Sequence, residues 1–141
     1  GPHDVAIAMC KEVFKDGKVK NKVLEFVGPG VANLSVDYRC GIDVMTTETT
    51  CLSSIWMTDD KVKEYYKIHG REEDYKELKP LEYAEYDALL EIDLAEIEPM
   101  IALPFHPSNA YTIKEFKANA SEILAELDEE IKNIYGYRGI L

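Results

Sequence analysis

Arginine is scarce in this chain, and positive charge is nowhere concentrated. Only Arg39, Arg71 and Arg138 occur, and 16 Lys and Arg stand against 27 Asp and Glu, a formal net charge of -11. Neutralising phosphate needs clustered cations, so neither nucleic acid nor an anionic membrane is expected as a partner. No apolar run approaches the roughly 20 residues of a membrane-spanning helix. Cysteine is equally sparse: Cys10, Cys40 and Cys51 lie far apart. An odd number without paired spacing makes no disulfide framework and fits a reducing compartment, so a cytoplasmic location is expected. CxxC, HExxH and Cys/His clusters are all missing, so no metal site is expected within the chain. Lysine disappears from Glu25 to Trp56, "EFVGPGVANLSVDYRCGIDVMTTETTCLSSIW", although 30% of all residues are charged. Such a stretch reads either as plain core or as one wall of an active site. No signal-peptide pattern opens the chain, and Gly1-Pro2 matches the scar of a cleaved tag.

What remains suits a single domain over 1–141: the chain has 141 residues, 46% of them hydrophobic, enough for a real core. Asp4 can cap a helix in which Val5, Ala8, Met9, Val13 and Phe14 recur at helical spacing. The segment 19–27 reads as a buried strand, and Gly28-Pro29-Gly30 forces a turn. Residues 35–50 are ambiguous, since Ile42, Val44, Thr46 and Glu48 alternate while Tyr38, Ile42 and Met45 fit a helical face. Residues 51–57 read as a strand. Thr58 or Asp59 can cap the helix that carries Val62, Tyr65, Tyr66 and Ile68 and stops at Gly70. The segment 86–94 alternates like a half-buried strand. After a loop with Pro99, Pro104 and Pro107, an amphipathic helix is expected over 119–134, with Ser121 as a possible cap. Helices between strands, without a usable hairpin signal, point to an α/β domain with a largely parallel sheet.

Several side chains have two readings each. Glu48 stands among apolar and hydroxyl residues, so it is either a partly buried carboxylate of chemical use or a residue that caps a nearby helix or contacts solvent. Asp43 has the same two readings, with pairing to Arg39 one helical turn away as the plainer one. His106 lies in the proline-bracketed "PFHPSNA", either a rigid site loop or a plain exposed loop. His69 fits a helix C-terminus favoured by the dipole. Cys51 fits a small buried hydrophobe better than a nucleophile. Gly-Pro-Gly makes a poor phosphate cradle, because Pro29 removes an N–H donor.

The order of motifs is more specific than any one of them. Glu25, then Gly28-Pro29-Gly30-Val31, is followed by Val44-Met45-Thr46-Thr47-Glu48. Tyr86-Asp87 with Glu91-Ile92, Leu94 and Pro99 comes next, and then Pro104-Phe105 with Pro107. Over residues 4–111 this resembles the second domain of the aconitase superfamily, whose pattern is E-x-x-G-P-G-V, N-M-x-x-E, Y-D-x-x-x-E-I-x-L-x-x-x-x-P and P-F-x-P. The resemblance implies a three-layer aconitase-like domain with a largely parallel central sheet flanked by helices. It also implies short helices over 35–50. The activity implied is that of a hydro-lyase, removing and re-adding water across adjacent carbons of a hydroxy di- or tricarboxylic acid. In the full-length protein a [4Fe-4S] cluster would act as Lewis acid, its cysteine ligands coming from another domain.

This chain is then expected to be one domain of a larger enzyme, inactive alone, with the other domains of the same chain as its partners. Glu48 takes the place of the family Glu and is the expected catalytic residue, with Asp43 and Thr47 beside it as weaker substrate-binding candidates. The family Asn falls on Val44, which has no hydrogen-bonding group. Cys10, Cys40 and Cys51 occupy no ligand position of the pattern. Loss of the Asn leaves a second reading open, a binding or regulatory module that keeps the aconitase fold without catalysis.

Overall fold

In the computed structural model, which describes residues 1–136, the centre of the fold is a helix. This is α1, Pro2–Val13, and its inward face is Val5, Ala6, Met9, Cys10 and Val13, all nearly sealed from solvent. Ala8 and Phe14 are turned part-way out, so the apolar stripe is rotated from the expected one. Proline suits the first helical turn, where its missing N–H has no partner to lose. Asp4 lies inside that turn, where its Oδ2 reaches back to accept from the Gly1 amino group at 2.6 Å, while its Oδ1 accepts the Met100 N–H at 2.9 Å. Helix α1 packs against α3, a 3-10 turn and a small hairpin, all described below.

Strand β1, Val23–Phe26, pairs in parallel with β2, Ser53–Trp56, so that Val23 faces Ser53 and Phe26 faces Trp56. Phe26 and Trp56 stack with ring centroids 4.1 Å apart. Both strands are shorter than expected. A parallel pair needs a long crossover, and here it is α2, Pro29–Asn33, then α3, Val36–Asp43, then a 3-10 turn, Thr46–Thr49. Gly28 begins α2 at φ 98°, a conformation that costs a side-chain-bearing residue. Ser35 caps α3 by accepting the Tyr38 N–H at 3.2 Å. The ambiguous segment is therefore helical, as the resemblance implies. Gly41 lets α3 approach α1: a Cβ there would meet the Pro2 ring at 2.8 Å.

Asp59 caps α4, Asp60–Ile68, accepting the N–H groups of Lys61 and Val62 at 3.1 and 3.2 Å. After a short 3-10 turn, Glu72–Asp74, residues 75–99 form neither helix nor strand. The expected strand over 86–94 is thus a correction. Alternating residues hold a strand only against a sheet face and a hydrogen-bonded neighbour, and here Leu89 is 86% exposed. Only scattered contacts hold the segment, among them Lys22 to Asp87 at 3.0 Å and Leu94 against Gly30.

Strands β3, Met100–Ala102, and β4, Ala110–Thr112, form an antiparallel hairpin. The fold is accordingly mixed α/β with one small parallel pair and one hairpin. Helix α5, Ile113–Tyr135, starts earlier than expected through a capping box: Thr112 Oγ1 accepts from Glu115 N, and Glu115 Oε2 accepts from Thr112 N. Asn119, the expected start, is instead a kink at φ -124°. Ser121, the possible cap, lies within the helix. Of the expected face, Ile123 and Leu127 are buried and Ile134 is 54% exposed. Among the described residues no helix is long and apolar enough to cross a membrane.

Candidate functional site

The 3-10 turn carrying Glu48 is clamped from beneath. Thr46 and Thr49 are buried, and the Thr49 hydroxyl donates to the Thr46 carbonyl at 2.6 Å. Two thiols bond to the same backbone, Cys51 to Thr46 O at 3.3 Å and Cys10 to Met45 O at 3.7 Å. Burial, and then the charge of Glu48, push the Cys10 thiol up to about 11. Cys51 is only half-buried, less enclosed than the small buried hydrophobe expected of it.

Thr47 and Glu48 project outward from this base. The Glu48 side chain is 48% exposed, more open than its apolar sequence setting predicted. His106, from the β3–β4 loop, is the group brought to it. The His106 Nε2–H donates to the Glu48 main-chain carbonyl at 3.0 Å, and Nε2 lies 3.9 Å from Glu48 Oε2. Its ring stacks on Phe14 at 3.6 Å between centroids. The loop that carries His106 is held by hydrogen bonds of its own. Leu103 N bonds to Asn109 O and Asn109 N to His106 O, both at 2.8 Å, and Asn109 Nδ2 to Pro104 O at 2.6 Å.

Asp43 does not pair with Arg39. Its Oδ1 accepts from the Ser54 hydroxyl at 2.6 Å and from Trp56 Nε1–H at 2.8 Å, tying the end of α3 to β2. Arg39 is 3% exposed and donates to the Val31 and Leu34 carbonyls at 3.0 and 3.1 Å and to the Asp59 carboxylate. The local rule that pairs residues four apart on a helix loses to a partner 20 residues away. Burial raises the Asp59 carboxyl, but the Arg39 bond, two backbone N–H bonds and the Arg39 charge outweigh it and hold the carboxyl below its ordinary value. Val44 ends α3 and is 64% exposed, and the helix does not continue to Glu48. Between these two positions the chain leaves the helix for the 3-10 turn. His69 sits at the C-terminus of α4, where its Nδ1–H donates to Tyr65 O at 2.7 Å, as expected.

No group of three or more metal-ligating side chains converges among the described residues. The cysteines do not fit an iron–sulfur cluster: Cys10 is sealed in the core as a thiol, and Cys51 is engaged with backbone.

Comparison with known proteins agrees with the order of motifs. Residues 1–139 match the model of the family described as Aconitase family (aconitate hydratase). The 3-isopropylmalate dehydratase large subunit 1 of Thermotoga maritima is 32% identical over 120 residues, covering 85% of this chain and 28% of that protein. The 3-isopropylmalate dehydratase large subunit of Acetivibrio thermocellus is 43% identical over 110 residues, 78% of this chain and 26% of that protein. That of Clostridium beijerinckii is 41% identical over 110 residues, 78% of this chain and 26% of that protein. The chain spans only 26–28% of the length of these curated relatives. By the extent of the family match, the chain belongs to the aconitase family.

Proposed function

We propose that this chain is the second domain of an aconitase-like hydro-lyase, and that the intact protein dehydrates and rehydrates a hydroxy dicarboxylic acid of the 3-isopropylmalate type. The names of the relatives support the substrate class. In the intact protein the domain completes a three-layer aconitase-like architecture, and residues 86–94 find the sheet edge that they lack here. The name "large subunit" supports a small-subunit partner as well. A [4Fe-4S] cluster of the intact protein would be ligated by residues outside this chain.

The observation that carries the reading is Glu48. At the position of the family Glu, a rigid turn presents an exposed carboxylate for which no hydrogen bond is seen among the described residues. In this reading Glu48 handles the proton of the substrate hydroxyl that leaves as water, on a domain surface that becomes a cleft on assembly. Thr47 contacts the substrate beside it. Asp43, already bonded to Ser54 and Trp56, holds the turn's approach in place.

The exposed Val44 favours the second reading, a non-catalytic module, because it supplies no polar contact. Assay of the intact protein with 3-isopropylmalate separates the two. Formation of the unsaturated acid, with none from the isolated chain, is the expected result. An intact protein that binds the acid without converting it would establish the module instead.

A further inference from the structure

The hydrogen bonds of His106 define its tautomer. The Ser108 backbone N–H can only donate, and it lies 3.1 Å from Nδ1, so Nδ1 accepts. The Ser108 hydroxyl stands 2.9 Å from the same nitrogen. Nε2 therefore carries the proton, and its single N–H is spent on the Glu48 main-chain carbonyl at 3.0 Å. With no donor left, the ring does not capture the carboxylate 3.9 Å away. Stacking on Phe14 fixes the ring plane, so three elements meet here: α1 through Phe14, the 3-10 turn through Glu48, and the β3–β4 loop through Ser108.

We infer that His106 is a positioning residue for Glu48: its Nε2–H bond to the Glu48 carbonyl fixes the turn from above while leaving the carboxylate free for substrate. The inference rests on the role of Glu48 proposed above and goes beyond it, since it assigns a function to a loop histidine that only the fold brings near. The histidine touches no substrate in this scheme and acts through the turn.

Two substitutions separate its nitrogens. In His106→Asn the side-chain oxygen can still accept the Ser108 N–H, but nothing reaches Glu48. In His106→Gln the amide N–H reaches the Glu48 carbonyl. Both are made in the intact protein, alone and with Glu48→Gln. H106N is expected to speed amide hydrogen exchange at residues 46–50 and to lower kcat for 3-isopropylmalate by about tenfold, less than the roughly 10²-fold that a 1 Å misplacement can cost. KM should change little. H106Q should restore both to near wild type, and in the Glu48→Gln background H106N should cost less than about twofold further, because groups acting as one unit do not add.

Exchange at 46–50 unchanged in H106N would overturn the inference whatever the activity. So would losses that multiply in the double variant, or an H106Q as impaired as H106N. If Glu48→Gln is impaired and H106N is not, only the role of His106 falls. If Glu48→Gln turns over like wild type, the role of Glu48 falls and takes this inference with it.

Discussion

Glu48 shows how far residue-level reading of the sequence reaches. Its motif position was legible, whereas its exposure was not, because exposure depends on which elements pack around the turn. Arg39 makes the same point: spacing along the helix offered Asp43, while packing supplied Asp59. Removing Arg39 leaves Asp59 and several carbonyls without their donor. Arg39→Met should therefore lower unfolding free energy by about 3 kcal/mol, the lower end for breaking a buried pair, since Asp59 keeps some solvent contact. The carboxyl of Asp59 is depressed in the folded state, so its contribution is complete above the ordinary aspartate value and is lost as pH falls from there through the depressed folded-state value. Urea melts across acidic pH should show a shallower acid limb in Arg39→Met than in wild type. Cys10 provides an independent check. Its thiol is raised to about 11 and sealed in the core, so at pH 8 a thiol reagent should label exposed Cys40 readily and Cys10 only on unfolding. Because the unfolded thiol ionises first, the folded state should lose stability as pH rises from the ordinary thiol value towards 11.

Among the elements, those with a local cause were legible and those with a distant one were not. Helices α1 and α4 carry their own periodicity and start signals, whereas Pro29-Gly30, expected as a turn, opens the short helix α2 behind Gly28. The helical nature of 35–50 was invisible to β-propensity, because Thr46 and Thr49 are buried by α1 rather than ranged along a sheet. Residues 86–94 have a strand's alternation and no sheet to receive it. Helix α5 starts at a Thr-x-x-Glu capping box that its later apolar run obscured. Helix α3 approaches α1 tightly at Gly41. A methyl there meets a proline ring that cannot swing away, so Gly41→Ala should destabilise by roughly 1–3 kcal/mol, as overpacking does. A melting temperature equal to wild type would mean that the two helices separate freely.

For the whole molecule, exposed apolar side chains gather in sequence around the motif residues. Val44 and Leu52 flank the Glu48 turn, Phe105 adjoins His106, and Val23 and Ile55 lie on the two paired strands; each is at least 42% exposed. Together with the structureless stretch 75–99 and a chain covering about a quarter of its relatives, this supports a domain that packs against more of the same protein. The chemistry assigned to that assembly comes down to one carboxylate. Its most direct test is steady-state turnover of 3-isopropylmalate by the intact protein carrying Glu48→Gln, with circular dichroism as the control for folding. A fall in kcat of roughly 10²-fold with an unchanged spectrum is predicted, the usual scale for a positioned acid–base group. Turnover equal to wild type would contradict the role of Glu48 and reduce it to a surface residue of the turn.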